Sequence, residues 1–301
     1  QDVQVSEGQG LANRHVAWRM DVARRVAAGY RAGAPIAALT VAGSVGAGLA
    51  DRYSDLELDC YCTEPPSDQD RRHPVDVARG VLTGFWDYDA DDAEWSEDYQ
   101  LGELGVTVSN FTVGAVEAFL DDVTLRAATS AVKHMRLAAI LRCSPLSGKS
   151  LVLSWRDRAS RYPDDLAAAM VRQALAPEAL TGWTGREALV SRGDDAALHE
   201  LLSRVERAVL DAVLAINRIY RPHRFLKWQR ALLAELPNGP HDLSARLERM
   251  WVARGKAVLD EAEALLLDIA NLAAGSTGAD LGDFRTAVTD LRPVLEPPAD
   301  F

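Results

Sequence analysis

The sequence predicts an α+β protein: a mixed sheet with flanking helices, followed by an all-helical C-terminal domain. Three observations carry this. Short apolar runs alternate with helical patterns over the first 123 residues. Beyond about residue 125, Ala/Leu/Arg stretches with 3.6-residue periodicity take over, at 125–142, 164–175, 195–220, 243–272 and 280–291. Strand signals nearly vanish in that second part. The expected division is therefore 1–123 and 124–301.

Taken in order, 11–31 carries apolar or small residues at helical spacing (Val16, Met20, Ala23, Val26, Tyr30) and stops at Gly33-Ala34-Pro35. Residues 36–42 are a short apolar run, a buried strand. The glycine-rich stretch AGSVGAGLADRY follows, then a second strand over 54–62. Pro65, Pro66 and the polar SDQDRRH segment break the chain before a helix expected at 74–85. Residues 87–98 are acidic and expected to be irregular. Residues 104–111 form a third strand and 113–120 a short helix.

The net charge of −11 makes the chain a poor candidate for gripping a nucleic-acid backbone, which needs clustered Lys and Arg. It suits a cationic small molecule, or nucleotides held through metal ions. Cys60, Cys62 and Cys143 cannot all pair with one another, and Cys60 and Cys62 stand too close in sequence for an easy disulfide. Reduced thiols in a cytoplasm are expected. No run of about eighteen apolar residues indicates a membrane span, and QDVQVSEGQG lacks the basic and apolar regions of a signal peptide. The expectation is a soluble cytoplasmic protein.

The chemistry concentrates in SDLELDCYC. Strand side chains alternate faces, with about 6.6 Å between residues i and i+2. Asp55, Glu57, Asp59 and Tyr61 thus share one face, and Leu56, Leu58, Cys60 and Cys62 the other. Three acids that close repel one another. They suit an edge strand guarded against aggregation, or a hard divalent cation such as Mg²⁺ bound by two carboxylates. Gly43 and Ser44 end the preceding strand, where bare backbone and a hydroxyl suit a phosphate. By spacing alone a plain turn before a charged strand stands equally open.

Gly43-Ser44 followed by Ser54-Asp55-Leu56-Glu57-Leu58 resembles the signature of the DNA polymerase β-type nucleotidyltransferase superfamily. The Ser-Asp-x-Glu form is similar to that of some antibiotic (aminoglycoside-type) nucleotidyltransferases. The resemblance covers about 36–119 and implies a polymerase β-like mixed sheet. It implies that Ser44, with Gly43, contacts the triphosphate, and that Asp55 and Glu57 bind Mg²⁺ ions clamping the α-phosphate. Such enzymes usually add a third carboxylate from a later strand, yet GVTVSNF contains no acid. Glu103 just before it, on the Thr107 face if the strand extends so far, and Asp59 one pleat along are the substitutes.

In the helical part, AINRIYRPHRFLKWQRAL clusters Asn217, Arg218, Tyr220, Arg224, Lys227 and Arg230. Its Asn–Tyr–Lys-Trp order is similar to a segment of bacterial nucleotidyltransferase-like proteins. That likeness implies nucleotide contacts from Asn217, Tyr220 and Lys227, with Lys227 reaching the β/γ-phosphates between the halves. A solvated basic helix face with Trp228 in the core is the alternative. Gly148-Lys149-Ser150 fails as a P-loop because Cys143 stands where the opening glycine belongs. DYDADDAEWSED fails as a calcium loop at Asp92 and Asp98. As a solvated acidic loop it suits attraction of a cationic acceptor. The histidines show no metal-ligand spacing.

The expected function is Mg²⁺-dependent transfer of a nucleoside monophosphate, AMP from ATP, to a hydroxyl of a small molecule such as a cationic antibiotic. The partners are then a nucleoside triphosphate and a small acceptor, without nucleic acid or membrane. The alternatives are a protein AMP-transferase of toxin–antitoxin type, and a catalytically impaired nucleotide-binding or regulatory protein.

Overall fold

The computed structural model describes residues 13–33, 35–224 and 227–297, with the side chains of 31–33 excepted. The chain forms two compact units, residues 1–161 with 222–224, and 162–221 with 225–301. The boundary lies later than 123/124 because three further elements belong with the sheet. They are α5 (Ala131–Arg142), the edge strand β6 (Ser144–Ser147) and α6 (Lys149–Ala159).

The first unit begins with α1 (Arg14–Gly33), β1 (Ile36–Val41), a single turn α2 (Gly43–Gly46) and β2 (Leu56–Cys62). Then come α3 (Asp68–Val77), β3 (Val81–Asp89), β4 (Glu94–Leu101), β5 (Leu104–Thr112) and α4 (Val113–Thr124). The six strands lie in the order β3-β4-β5-β2-β1-β6. Only β2 and β5 are parallel; the other neighbours are antiparallel. Two expectations fail here. The helix expected at 74–85 is α3, which begins earlier, and the acidic stretch is a hairpin.

Their causes are local. Ser67 Oγ accepts from the Asp70 amide (3.2 Å) while Asp70 Oδ2 accepts from the Ser67 amide (3.0 Å), a reciprocal cap that starts α3 within the polar segment. The hairpin hides its strand period because register shifts occur between Leu82 and Gly84 and between Trp86 and Asp89. Those shifts scramble the alternation that marks a strand in sequence.

One sheet face is apolar. Leu56, Leu58, Val106, Val108 and Tyr99 meet Val22, Val26 and Tyr30 of α1. Within that side lies a buried polar knot: Arg71 Nε donates to Glu97 Oε2 at 2.8 Å, and Asn110 donates to the same carboxylate at 3.0 Å. Burial pushes the Glu97 pKa up to about 7 against the pull of Asn110 and Arg71. On the other face Tyr61 packs on Phe111 and edge-on to Trp155 of α6, with ring centroids 5.9 and 4.9 Å apart.

The second unit is helical: α7 (Asp164–Ala174), two 3₁₀ turns (Pro177–Leu180 and Trp183–Gly185), α8 (Arg186–Arg192) and α9 (Asp195–Ile216). It continues with α10 (Gln229–Ala234), α11 (Leu243–Val252), α12 (Lys256–Thr277) and α13 (Gly282–Thr289). The stripe expected as one helix over 243–272 breaks before Gly255, which takes φ +62°. The long α9 and α12 pack through Leu202, Val209, Ala262 and Leu266. No described helix is long and apolar enough to cross a membrane. All three cysteines are free and buried.

Candidate active site on the acid face of the sheet

The site begins where β1 ends. Gly43 opens the turn α2 with φ +55°, a conformation that disfavours any residue with a Cβ. A Cβ there would also lie 2.2 Å from Glu57 Oε2 and 2.5 Å from Glu57 Cδ. The Glu57 carboxylate therefore rests directly against the Gly43 backbone. The Ala42 amide donates to the Glu57 carbonyl at 2.9 Å, which ties the turn to β2. Ser44 is half-buried at the start of the turn, and its carbonyl accepts from the Leu49 amide at 2.8 Å.

The linker to the acids is fixed from several sides. Asp51 Oδ1 accepts from the Tyr53 amide (2.9 Å) and from Ser54 Oγ (3.1 Å). Asn13 donates to the Ala50 carbonyl at 2.7 Å, and the buried Arg19 of α1 donates through Nε to the Ser54 carbonyl at 2.9 Å. Asp55 follows immediately and is exposed. A Cβ on Gly105 would stand 3.9 Å from the Asp55 Cβ, so this glycine of β5 leaves space beside the carboxylate.

Strand register arranges the face in rows. Glu57 pairs with Thr107, and Thr107 with Asp98 of β4. Thr107 Oγ1 donates to Asp98 Oδ1 at 2.7 Å. Asp98 is the acid that the sequence reading misses, because its segment was expected to be irregular. It stands two strands from Glu57, roughly 10 Å between Cα atoms. No group of three or more His, Cys, Asp or Glu positioned to hold a metal ion occurs among the described residues.

The two substitutes for a third acid are not placed for that role. Glu103 is exposed in the turn between β4 and β5, because β5 begins only at Leu104. Asp59 shares the Glu57 face, but α5 covers it: it is 4 % exposed and pairs with Arg136 Nη1 at 3.2 Å. Tyr61 OH also donates to it at 3.2 Å. Arg136 reaches Glu94 at 3.2 Å as well and lies over the Phe111 ring. Burial opposes the Arg136 charge, but Asp59, Tyr61 and Glu94 outweigh it and raise its pKa. Burial raises Glu94 too, against Arg136.

The candidates of the helical half belong to the second unit. Asn217 caps α9, donating to the Val213 and Asn238 carbonyls at 2.7 Å each and accepting from the Asn238 amide at 3.0 Å. Tyr220 is buried and stacks on Tyr162, ring centroids 4.7 Å apart. Both side chains serve the fold of that unit. Lys227 is exposed in the turn before α10, and Trp228 is also exposed rather than in the core. The basic cluster is dispersed into ion pairs: Arg218 with Asp164, Arg230 with Glu248, and Arg224, within the first unit, with Asp92.

A family model described as a domain of unknown function (DUF4037) matches residues 130–229. No curated protein matches the sequence. The crystal structure of a nucleotidyltransferase-like protein from Exiguobacterium sibiricum 255-15 is similar over 86 % of this chain and 75 % of that one, at 11 % sequence identity and a TM-score of 0.39.

Proposed function

We propose that this protein is a Mg²⁺-dependent nucleotidyltransferase that moves AMP from ATP onto a hydroxyl of a small, cationic molecule of aminoglycoside-like chemistry. The observation that carries this reading is the seating of the Glu57 carboxylate on Gly43, beside Ser44 and one pleat from Asp55. We read the glycine–serine turn and the two carboxylates as one site at this corner of the sheet.

The donor set fits the metal in a limited form. Mg²⁺ is commonly held by one or two carboxylates together with substrate phosphate oxygens, and Asp55 and Glu57 supply two. Bound there, the ion would neutralise charge on the transferring phosphoryl group. Ser44 is suited to donate its hydroxyl to a phosphate oxygen, and Gly43 to leave the backbone accessible. In the reaction the acceptor oxygen bonds to the α-phosphorus while the bond to the β-phosphate oxygen breaks. Pyrophosphate leaves and the hydroxyl proton passes to water. Positioning by the turn and strand supplies most of the protein's share of catalysis.

The test is pyrophosphate release from each nucleoside triphosphate with Mg²⁺ and a panel of hydroxylated amines and proteins. Turnover on a small molecule that Asp55→Asn abolishes supports the proposal. Turnover on a protein alone reassigns the acceptor. Metal-dependent nucleotide binding with no turnover makes the chain a binding or regulatory protein, and no such binding sinks the reading.

A further inference from the structure

The row that runs from Glu57 through Thr107 and Asp98 ends on β3 at Gly84. A Cβ on Gly84 would lie 2.0 Å from Trp86 Cη2, 2.5 Å from Cζ3 and 2.8 Å from Cζ2. The six-membered ring of Trp86 thus occupies the space over Gly84, next to Asp98, instead of standing away from its strand. Trp86 is nevertheless 50 % exposed. A glycine within a strand weakens it and often marks a place of close approach. An indole left half in water forgoes much of its burial. A ligand that covers the ring accounts for both costs.

The backbone beneath this ring is held firmly. Arg71 Nη2 donates to the carbonyls of Trp86 (2.8 Å) and Ser96 (2.6 Å), the pair that faces one another across β3 and β4. Arg71 is itself buried against Glu97 on the far side of the sheet. The ring therefore projects from a preorganised edge.

Charge identifies the ligand class. Asp98 beside the ring, and Asp87, Asp89 and Asp91 further along the hairpin, have no ion pair among the described residues, while Arg136 is engaged by Asp59 and Glu94 and Arg224 by Asp92. A nucleobase could stack on an indole, but its phosphates would meet these carboxylates with like charge. An organic cation is attracted by the indole face and by the acids together. We propose that Trp86, laid over Gly84, and Asp98 form a subsite for an organic cation, a protonated amine carried by the hydroxyl-bearing acceptor. The subsite's place in a reaction rests on the nucleotidyltransferase reading. Three strand spacings, roughly 14 Å, separate Gly84 from Glu57, so a molecule anchored here would extend along the row toward Asp55 and Glu57.

The experiment is isothermal titration of the full chain with choline and with spermidine, in the absence of nucleotide, with glucose as a neutral control. Wild type is expected to bind the cations and not glucose. Trp86→Ala is expected to weaken them about 2- to 30-fold and Trp86→Phe less. Asp98→Asn is expected to weaken them at low salt and by a smaller factor at high salt. The same variants are titrated with ATP and Mg²⁺, and their nucleotide affinity is expected to match wild type. Absent cation binding by wild type, or unchanged binding by Trp86→Ala, overturns the subsite. Lost ATP affinity with intact cation affinity also overturns it and gives the ring to the nucleobase. If wild type shows no Mg²⁺-dependent ATP affinity while Trp86-dependent cation binding persists, the enzyme reading falls and the subsite stands.

Discussion

The Glu57 carboxylate lies where a side chain at Gly43 would have to go: Oε2 would stand 2.2 Å from a Cβ built there. Gly43 also takes φ +55°. Gly43→Ala therefore carries two penalties, a left-handed alanine costing about 1–2 kcal/mol and displacement of an acid. The expected result is a modest fall in Tm together with a large loss of Mg²⁺-dependent ATP affinity. Calorimetric melting and nucleotide titration on one preparation check it. A variant with wild-type nucleotide affinity would remove Gly43 and Glu57 from the site.

Asp55, just before β2, and Asp59 within it are expected to respond oppositely. Asp55 is exposed, so Asp55→Asn should abolish nucleotidyl transfer and leave stability near wild type. Asp59 is buried against Arg136. Asp59→Asn leaves Glu94 as that guanidinium's one carboxylate partner among the described residues, which should destabilise the protein by about 3 kcal/mol. Denaturant unfolding of both variants decides whether Asp59 is a structural acid.

Asn217 and Lys227 make a similar contrast in the helical unit. Asn217→Ala removes three hydrogen bonds, one to Val213 within α9 and two that join the end of the helix to Asn238, and should destabilise by about 1–3 kcal/mol. Lys227→Ala should leave unfolding unchanged, because the residue is exposed in a turn. Its effect on ATP affinity then tests the phosphate role expected from the sequence without a folding artefact.

His134 gives a pH dependence. Burial lowers its pKa, although its Nε2–H donates to the Ala128 carbonyl at 2.9 Å. The unfolded chain therefore takes up this proton at a higher pH than the folded one. The associated stability is full above the ordinary histidine pKa of about 6.5 and is lost as pH falls through the depressed folded value. His134→Gln should narrow the difference between Tm at pH 8 and at pH 5. A difference equal to that of wild type would assign the acid sensitivity elsewhere.

Much of the candidate site's geometry was legible because its information is local. The alternation in 54–62 predicts Asp55 and Glu57 on one face, although the strand itself begins at Leu56, and a glycine just after β1 signals a conformation closed to other residues. The helical second part was equally plain, since α7, α9 and α12 carry their own apolar stripes. The β3–β4 hairpin was not legible. Its two register shifts disrupt the period, and its acids imitate a loop. With the hairpin went Asp98 and Trp86, both of which reach the acid face only through pairing with strands distant in sequence.

By itself the sequence determined the motif Gly43-Ser44 with Asp55 and Glu57, the α+β character and the acidic balance, because backbone preference, side-chain period and charge act over a few residues. The tertiary structure alone decided which acids face open space. Asp59 is withdrawn by Arg136 on α5, Glu103 is left in a turn, and Asp98 is carried across β4 into the row of Glu57. Those outcomes depend on strand order and helix cover, which bring together residues whose separation along the chain conceals their contact.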